Sequence, residues 1–285
     1  MKILRKIFIG VFFVSFFCGT SVIYVVSSLP DACTSEKKVV LVSIDDCWEG
    51  LSALSQDTVR SVYDVPFFRQ LRDWNQKYGA KFTCYVYGET ETFTLKNVPM
   101  RFRSEFEEAA SWLKFGFHSS FGNIGKTRNQ TAEEFSINFE KVNDYIDSFA
   151  GEKSRSSTLR LDYFFAHEDW IPIIFKNPSV VLLGPDMPLR KAYALSDEQS
   201  TELWTVGKYP SRTPENKTKI GGYIRTDARY EKMILPWWTL SNLRHQERIV
   251  VFTHEWAMSS KVRSFMDYSF RWFQQNGYKF TFLEN

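Results

Sequence analysis

The chain has 285 residues and a formal net charge of +3. Lys2, Arg5 and Lys6 account for the whole excess, because no acidic residue precedes Asp31, and residues 7–285 are neutral overall. A neutral domain lacks the positive surface that binding to a phosphate backbone requires, which excludes the nucleic-acid binders. The length suits one large domain with a sizeable core behind a short N-terminal segment.

The N-terminal segment has the pattern of a membrane anchor. Met1–Lys6 is basic, and Ile7–Val26 contains no charged residue. Roughly 20 apolar residues span the hydrocarbon core of a bilayer as a helix, and the basic flank is expected on the cytoplasmic side. We therefore predict a cytoplasmic stub and transmembrane signal anchor over residues 1–29, a short stalk over 30–38, and an extracytoplasmic domain over 39–285. A cleaved signal peptide is the competing interpretation.

A strand and a carboxylate pair open the domain. Val39–Gly50 reads VVLVSIDDCWEG, and its apolar β-branched residues predict a buried strand. Asp45 and Asp46 then follow at the carboxyl end of the strand, where parallel α/β folds place their chemistry. Adjacent carboxylates repel each other, so we expect a divalent metal ion or an arginine beside them.

Helices and strands alternate along most of the remaining chain. The patterns predict strands at 81–87, 158–165, 179–183, 249–253 and 278–283, and helices at 66–78, 102–114, 132–149 and 259–275. This alternation favours a largely parallel sheet, either as a barrel or as an open doubly wound sheet. The stretch 184–247 is rich in proline and glycine, and we interpret it as a long insertion around the strand ends.

Polar side chains occur at four of the predicted strand ends. They are Asp45-Asp46, His118-Ser119-Ser120, Arg160-x-Asp162 and His254-Glu255. Each group alone has a structural explanation, such as a helix cap or a salt bridge. Acids, histidines and an arginine at the ends of separate strands together indicate a catalytic or binding site.

The order of these motifs resembles the polysaccharide deacetylases, the NodB-homology carbohydrate esterases, over roughly residues 38–285. Ser43–Asp46 is similar to the family's Thr-Phe-Asp-Asp, and His118–Phe121 to the start of its His-Ser/Thr-x-x-His motif. Arg160–Tyr163 is similar to its arginine motif, and Ile249–His254 to its late strand ending in histidine. The resemblance implies an α/β fold, a distorted (β/α)7-type barrel preceded here by one N-terminal transmembrane helix.

The resemblance also implies an activity, the metal-dependent deacetylation of an acetylated cell-surface polysaccharide or glycan. By this likeness Asp45 is the general base and His254 the general acid. Asp46 and His118 are ligands of a divalent metal ion, expected to be zinc. Arg160 orients Asp45 and lowers its pKa through its positive charge.

One metal ligand of the family pattern is missing, since Gly122 stands where the second histidine is expected. A catalytic metal ion normally takes three protein ligands. The candidates for the third are Asn123, Asp162 and His167. We favour Asp162, because it lies two residues after Arg160 on the same predicted strand and should face the same side.

Three further residues are predicted to serve the substrate. Trp48 lies two residues after Asp46, and Trp237 lies in the irregular stretch. The flat face of an indole stacks on a sugar ring. Asp227 is a loose match to the family's fourth, acidic motif. We expect it near the substrate, either orienting His254 or paired with Arg160.

Two other functions are open. The first alternative is a catalytically inactive, deacetylase-like glycan-binding protein, for which the glycine at position 122 argues. The second is a glycoside hydrolase that uses a pair of carboxylates. It ranks low, because no second acid is obviously placed opposite Asp45.

Overall fold

The computed structural model of the chain describes residues 38–187, 190–213 and 216–283. The predicted anchor and nearly all of the predicted stalk lie outside the described residues. Within the part that is described, no helix combines the length and the apolar character needed to cross a membrane.

Two sheets form the frame of the domain. The strands are β1 (Val39–Cys47), β2 (Phe82–Glu89), β3 (Leu113–Phe121), β4 (Thr158–Leu159), β5 (Val181–Leu183), β6 (Lys208–Thr213), β7 (Asn216–Ile224), β8 (Ala228–Arg229), β9 (Arg248–His254) and β10 (Lys279–Phe280). The first sheet has the order β3-β2-β1-β9-β8, with β10 beside the start of β1, and all its pairs are parallel. The α/β class and the largely parallel sheet are therefore confirmed.

The second sheet continues the course of the first. Its order is β4-β5-β7-β6, in which β4, β5 and β7 are parallel and β6 is antiparallel to β7. A parallel bridge between Phe115 and Arg155 joins β3 to the chain just ahead of β4. At the other end, the Asp227 N–H donates to the Val250 carbonyl as the chain passes from β7 to β8. This course is consistent with a distorted barrel.

The helices cover the sheets. They are α1 (Glu49–Ala53), α2 (Pro66–Tyr78), α3 (Arg103–Ala109), α4 (Ile124–Arg128), α5 (Ala132–Ala150), α6 (Ile171–Ile174), α7 (Asp197–Val206), α8 (Pro236–Leu243) and α9 (Ser260–Gln275). The predicted helices at 66–78, 132–149 and 259–275 are confirmed, because their end signals act as expected. Gly79 ends α2 in the left-handed conformation, and Thr131 caps α5 together with Glu134.

The irregular stretch was interpreted wrongly as an insertion. It supplies β7, which pairs in parallel with β5 from Val181–Gly222 to Leu183–Ile224. Two of its prolines occupy positions that regular structure tolerates: Pro210 lies in the outermost strand, β6, and Pro236 begins α8. The clustered prolines and glycines therefore mark turns and edges within the fold.

Several predicted elements are shorter in the structure, and the strand predicted at 278–283 covers only Lys279–Phe280. The helix predicted at 102–114 ends at Ala109, and β3 begins at Leu113, where pairing with Phe82 fixes the extended conformation. The strand predicted at 158–165 ends at Leu159. The chain then turns, with Tyr163 and Phe164 at φ of 54° and 56°.

An aromatic cluster fastens α2 and α9 to the parallel sheet. Phe270 of α9 is fully buried, and its ring packs edge-on against Trp74 of α2 at 5.4 Å between centroids. It also contacts Phe82 of β2 at 5.8 Å and Phe280 of β10 at 5.3 Å. Phe270 thus connects both helices to the strands that flank β1.

Replacing this ring should destabilise the domain strongly. Phe270→Ala leaves a cavity among the rings of Trp74, Tyr78, Phe82 and Phe280 and should lower the free energy of unfolding by about 3–5 kcal/mol. The matched control is Tyr268→Ala on the same helix, where the residue is 41% exposed. Urea unfolding measures both variants. A loss below about 1 kcal/mol for Phe270→Ala would contradict the role of this cluster.

Candidate active site

A cavity of about 270 Å³ lies at the carboxyl ends of the parallel strands. It contains all six residues predicted to be catalytic or metal-binding, from strands β1, β3 and β9 and from the turn after β4. These residues are Asp45, Asp46, His118, Arg160, Asp162 and His254. Residues distant in sequence therefore share one cavity, as expected where parallel strands end at one edge.

A distortion of β1 brings both adjacent carboxylates to this cavity. Successive side chains of a regular strand point to opposite faces. The register between β1 and β2 shifts between Ile44 and Cys47, and Asp46 takes a left-handed backbone with φ of 58°. The irregularity lets Asp45 and Asp46 line the same cavity.

Three donors hold the Asp46 carboxylate. Its Oδ1 accepts from the Tyr87 hydroxyl at 2.5 Å and lies 3.0 Å from His118 Nε2. Its Oδ2 accepts from the Trp256 indole N–H at 2.7 Å. Burial raises the pKa of Asp46, but the contacts with His118 and Tyr87 outweigh burial and hold that pKa well below its usual range.

His118 presents one defined nitrogen to the acids. Its Nδ1 contacts the carbonyl oxygen of Arg160, which can only accept, so Nδ1 carries a hydrogen. Its Nε2 faces Asp46 and lies 3.8 Å from Asp162 Oδ1. Burial lowers the pKa of His118, but the neighbouring carboxylates outweigh this effect and raise the pKa to about 9.

The residues present fit a divalent cation. One donor atom each from Asp46, His118 and Asp162 lie within 4.8 Å of one another. Two carboxylates and one imidazole are ligands that zinc and other divalent transition metals accept, and a hydrogen bond from the second histidine nitrogen to a carbonyl is the usual support of such a ligand. The donor set does not distinguish zinc from these other metals.

The other candidates for the third ligand are engaged elsewhere. Asn123 Oδ1 caps α4 by accepting from the Lys126 N–H at 3.1 Å. His167 Nε2 lies 2.8 Å from the Arg128 carbonyl oxygen. Asp162 reaches the cavity although the strand predicted to carry it ends at Leu159, because the turn after β4 directs its carboxylate toward His118.

Asp45 and Arg160 form a fully buried pair. Arg160 Nε lies 3.5 Å from Asp45 Oδ2, and Arg160 Nη2 donates to the Ser43 hydroxyl at 3.2 Å. Burial raises the pKa of Asp45 and exceeds the lowering by Arg160, contrary to the expectation from the family resemblance. Asp45 Oδ1 accepts no hydrogen bond from any described residue, so it is free to accept a proton.

His254 is oriented by an acid that the sequence did not single out. His254 Nδ1 lies 2.5 Å from Glu231 Oε1, and the His254 backbone N–H donates to the same oxygen at 2.9 Å. Burial raises the pKa of Glu231, but the bonds to His254 reverse this and lower it. Asp227 and Glu247 also precede β9, so nothing in the sequence singles out Glu231 among these acids.

The prediction for Asp227 was wrong. Its side chain is only 4% exposed and pairs with Arg225 Nη2 at 2.9 Å. Its second oxygen accepts from the Val250 N–H at 2.8 Å. Asp227 therefore joins β9 to the preceding chain, and it lines neither the catalytic cavity nor the cavity beside it.

The predicted substrate-binding tryptophans differ in position. Trp48 lines a second cavity of about 460 Å³, which shares Asp46, Tyr87, Gly122 and Trp256 with the first. Trp237, on α8, is 53% exposed and lines neither cavity, so the structure does not place it at the site. Trp256, which was not predicted, lines both cavities. It is 59% exposed despite its hydrogen bond to Asp46.

Glu255 fixes the chain that follows the aspartate pair. Its carboxylate accepts from the backbone N–H groups of Trp48, Glu49 and Gly50, at 2.8, 2.9 and 2.8 Å. Position 50 needs a glycine, since a Cβ there would lie 2.9 Å from Glu255 Oε1 and 2.8 Å from Phe67 Cδ1. Burial raises the pKa of Glu255 to about 7, although the three N–H groups lower it.

Comparison with known proteins gives similarity only at the level of solved structures. No protein-family model matches the chain, and no curated protein matches it. A peptidoglycan N-acetylglucosamine deacetylase catalytic domain from Eubacterium rectale is 15% identical, with a TM-score of 0.44 over 90% of this chain and 93% of that one. A polysaccharide deacetylase from Bacillus cereus is 11% identical, with a TM-score of 0.44 over 85% and 90%.

A family 4 acetyl xylan esterase from Clostridium thermocellum, in complex with a cobalt ion, is 15% identical, with a TM-score of 0.40 over 86% of this chain and 87% of that one. The polysaccharide deacetylases, which the motifs resemble, are thus among the proteins to which this chain is similar in structure. Similarity at this level assigns neither an activity nor a substrate. The function must be inferred from the residues of the site.

Removal of the third donor should abolish metal binding. Asp162→Ala leaves two donors, so its affinity for Zn²⁺ should fall by at least about 100-fold. His167→Ala is the matched control and should keep the affinity of the unaltered chain. Competition with a chromophoric chelator measures the affinity, and circular dichroism checks the fold. Full metal occupancy in Asp162→Ala would remove this residue from the ligand set.

Metal binding should strengthen as the pH rises. The pKa of His118 is about 9 in the metal-free site, and a cation must displace the proton from Nε2. Below pH 9 the affinity for Zn²⁺ should therefore rise by about tenfold per pH unit, and it should level off above this value. Metal-buffered titrations between about pH 6 and pH 8 test this expectation. An affinity that stays constant over this range would show that His118 is neutral before the metal binds.

Proposed function

We propose that the protein is a metal-dependent hydrolase that removes acetyl groups from an acetylated cell-surface polysaccharide or glycan, as a divergent polysaccharide deacetylase. The main support is the convergence of Asp46, His118 and Asp162, whose donor atoms lie within 4.8 Å of one another. A buried acid–arginine pair and an acid-bound histidine line the same cavity.

Asp46, His118 and Asp162 would hold the metal ion, which we propose to be zinc. A bound divalent ion supplies Lewis acidity toward an acetyl carbonyl and toward a water molecule. Tyr87 and Trp256 donate to the Asp46 carboxylate and so fix the direction of its oxygens. The Arg160 carbonyl fixes the ring of His118 in the same way.

Asp45 is suited to take the proton of the attacking water. Its raised pKa makes the carboxylate a stronger base than an exposed aspartate. Arg160 pairs with Asp45 Oδ2 and is itself held by its hydrogen bond to the Ser43 hydroxyl. Asp45 Oδ1 accepts no hydrogen bond from a described residue. The base thus has a fixed orientation and a free oxygen.

His254 is suited to protonate the leaving group. Its Nδ1 is engaged by Glu231, so Nε2 is the nitrogen left for the substrate in the cavity that His254 lines. Expulsion of an amine from a tetrahedral intermediate requires a proton, and expulsion of an alcohol is helped by one. The Glu231 carboxylate stabilises the protonated ring before that transfer.

A glycan-binding protein without catalysis is the second candidate. Gly122 supplies no ligand, and both oxygens of Asp46 already accept hydrogen bonds from Tyr87 and Trp256. Elemental analysis of the full chain purified without chelators distinguishes the two functions. A stoichiometric divalent metal supports the hydrolase. Protein that contains no such metal but still binds the glycan supports the binding protein.

We also propose that residues 1–29 anchor the protein in a membrane by a single helix, with the deacetylase-like domain of residues 39–285 outside the cytoplasm. The basic start and the uncharged run that follows it support this orientation. Protease added outside intact spheroplasts should digest the domain. Complete protection of the domain would reverse the orientation.

The activity itself has a direct test. The full chain loaded with Zn²⁺ should release acetate from N-acetylated or O-acetylated glycans, and Asp46→Asn should abolish this release through loss of the metal. His254→Asn should slow it by about 100- to 10,000-fold while leaving the metal bound.

The matched controls are Asp57→Asn and His245→Asn, which alter exposed residues outside the cavity. Both should keep full activity. Undiminished acetate release by Asp46→Asn and His254→Asn would refute the proposed mechanism.

A further inference from the structure

Three arginines and two phenylalanine rings line the same cavity. The buried Arg160 guanidinium lies 4.1 Å from the Phe252 ring centroid and 5.9 Å from that of Phe164. Each ring also contacts a second guanidinium: Arg229 lies 5.6 Å from Phe252, and Arg190 lies 4.7 Å from Phe164. The rings thus position two additional cations beside the central one.

The two outer arginines are weakly neutralised. No acid among the described residues forms an ion pair with Arg190. Its guanidinium packs on the Phe164 ring. Arg229 Nε lies 3.4 Å from Glu231 Oε2 but donates no hydrogen bond to a described residue. Glu231 already accepts from His254 through its other oxygen. Both guanidiniums therefore keep donors for a ligand.

The charge of the cavity also favours the binding of an anion. Its lining contains three carboxylates and three guanidiniums, which cancel one another: Asp45, Asp46, Asp162, Arg160, Arg190 and Arg229. A divalent cation would add two positive charges, of which the Glu231 carboxylate beside Arg229 offsets one. A cavity with an excess of positive charge and desolvated walls attracts an anion.

We propose that Arg190 and Arg229 form a binding site for an anionic substituent, a carboxylate or a phosphate, on the glycan substrate. The proposal rests on the proposed function for the identity of the ligand as an acetylated glycan. A guanidinium binds both anions through paired N–H donors, so the shared chemistry defines the site. The substrate would then be an acidic glycan, with its negative group close to the acetyl group that is removed.

Binding of matched oligosaccharides tests the site without requiring turnover. The probes are a neutral N-acetylglucosamine tetramer, the same tetramer with one phosphate monoester, and a tetrasaccharide of alternating glucuronate and N-acetylglucosamine. Calorimetry with the Zn²⁺-loaded full chain gives each affinity. At least one acidic probe should bind about tenfold more tightly than the neutral tetramer, and this advantage should shrink as salt is added. The two acidic probes distinguish carboxylate from phosphate.

The variants assign the effect to the two arginines. Arg190→Gln and Arg229→Gln should each remove most of the preference for the acidic probe. Arg128→Gln is the matched control, because its guanidinium also lies on a phenylalanine ring, at 5.1 Å from Phe165, but does not line the cavity. Arg190 is partly exposed, so Arg190→Gln tests the site even where Arg229→Gln fails to fold.

Two results would overturn the anion site: equal binding of all three probes, or a preference that survives both substitutions. If either result occurs while acetate is still released from the neutral tetramer, the proposed function is retained. A clear acidic preference without acetate release from these probes or from O-acetylated glycans retains the anion site and refutes the deacetylase.

Discussion

The site depends on the interruption of β1 at Asp46. In a regular strand one of the two adjacent carboxylates would face away from the cavity, and Asp45 and Asp46, the proposed base and metal ligand, could not act on one substrate. A left-handed backbone at a residue other than glycine costs about 1–3 kcal/mol. Hydrogen bonds to a charged group contribute about 1.5–3 kcal/mol each, so the Tyr87 and Trp256 donors offset that cost. The bonds that hold the carboxylate also stabilise the distortion that exposes it.

The segment after β4 makes the second set of connections. The side chain of Arg160 pairs with Asp45, its carbonyl oxygen fixes the tautomer of His118, and two residues later Asp162 approaches the same imidazole. Three functions thus depend on a few residues of one short turn. A displacement of this turn would move Asp45, His118 and Asp162 together. The burial of Arg160 and its packing against Phe252 hold the turn in place.

The sequence was sufficient wherever a local pattern determines the outcome. Strand β1 and helices α2, α5 and α9 follow from apolar periodicity and end signals, and Asp46 and His118 follow from their positions at strand ends. Asp162 was the preferred third ligand, yet a turn and not strand alternation brings it to the cavity. Glu231 and Trp256 were missed because their roles arise from contacts across the sheet, with His254 and Asp46, for which neither periodicity nor spacing gives a signal. Element lengths failed where strand pairing, as in β3, decided between helix and strand.

Gly122 has a consequence for how this site can change. A Cβ at position 122 would lie 3.0 Å from Thr90 Cγ2, closer than the 3.5–4.0 Å at which carbon atoms ordinarily pack. A histidine therefore cannot be placed there unless Thr90 or the backbone around it shifts. The cost of a histidine at position 122 therefore depends on the residue at position 90, and a smaller side chain than threonine there would lower it. The candidate third ligand, Asp162, avoids this constraint, because it reaches the cavity from the turn after β4 and not from position 122.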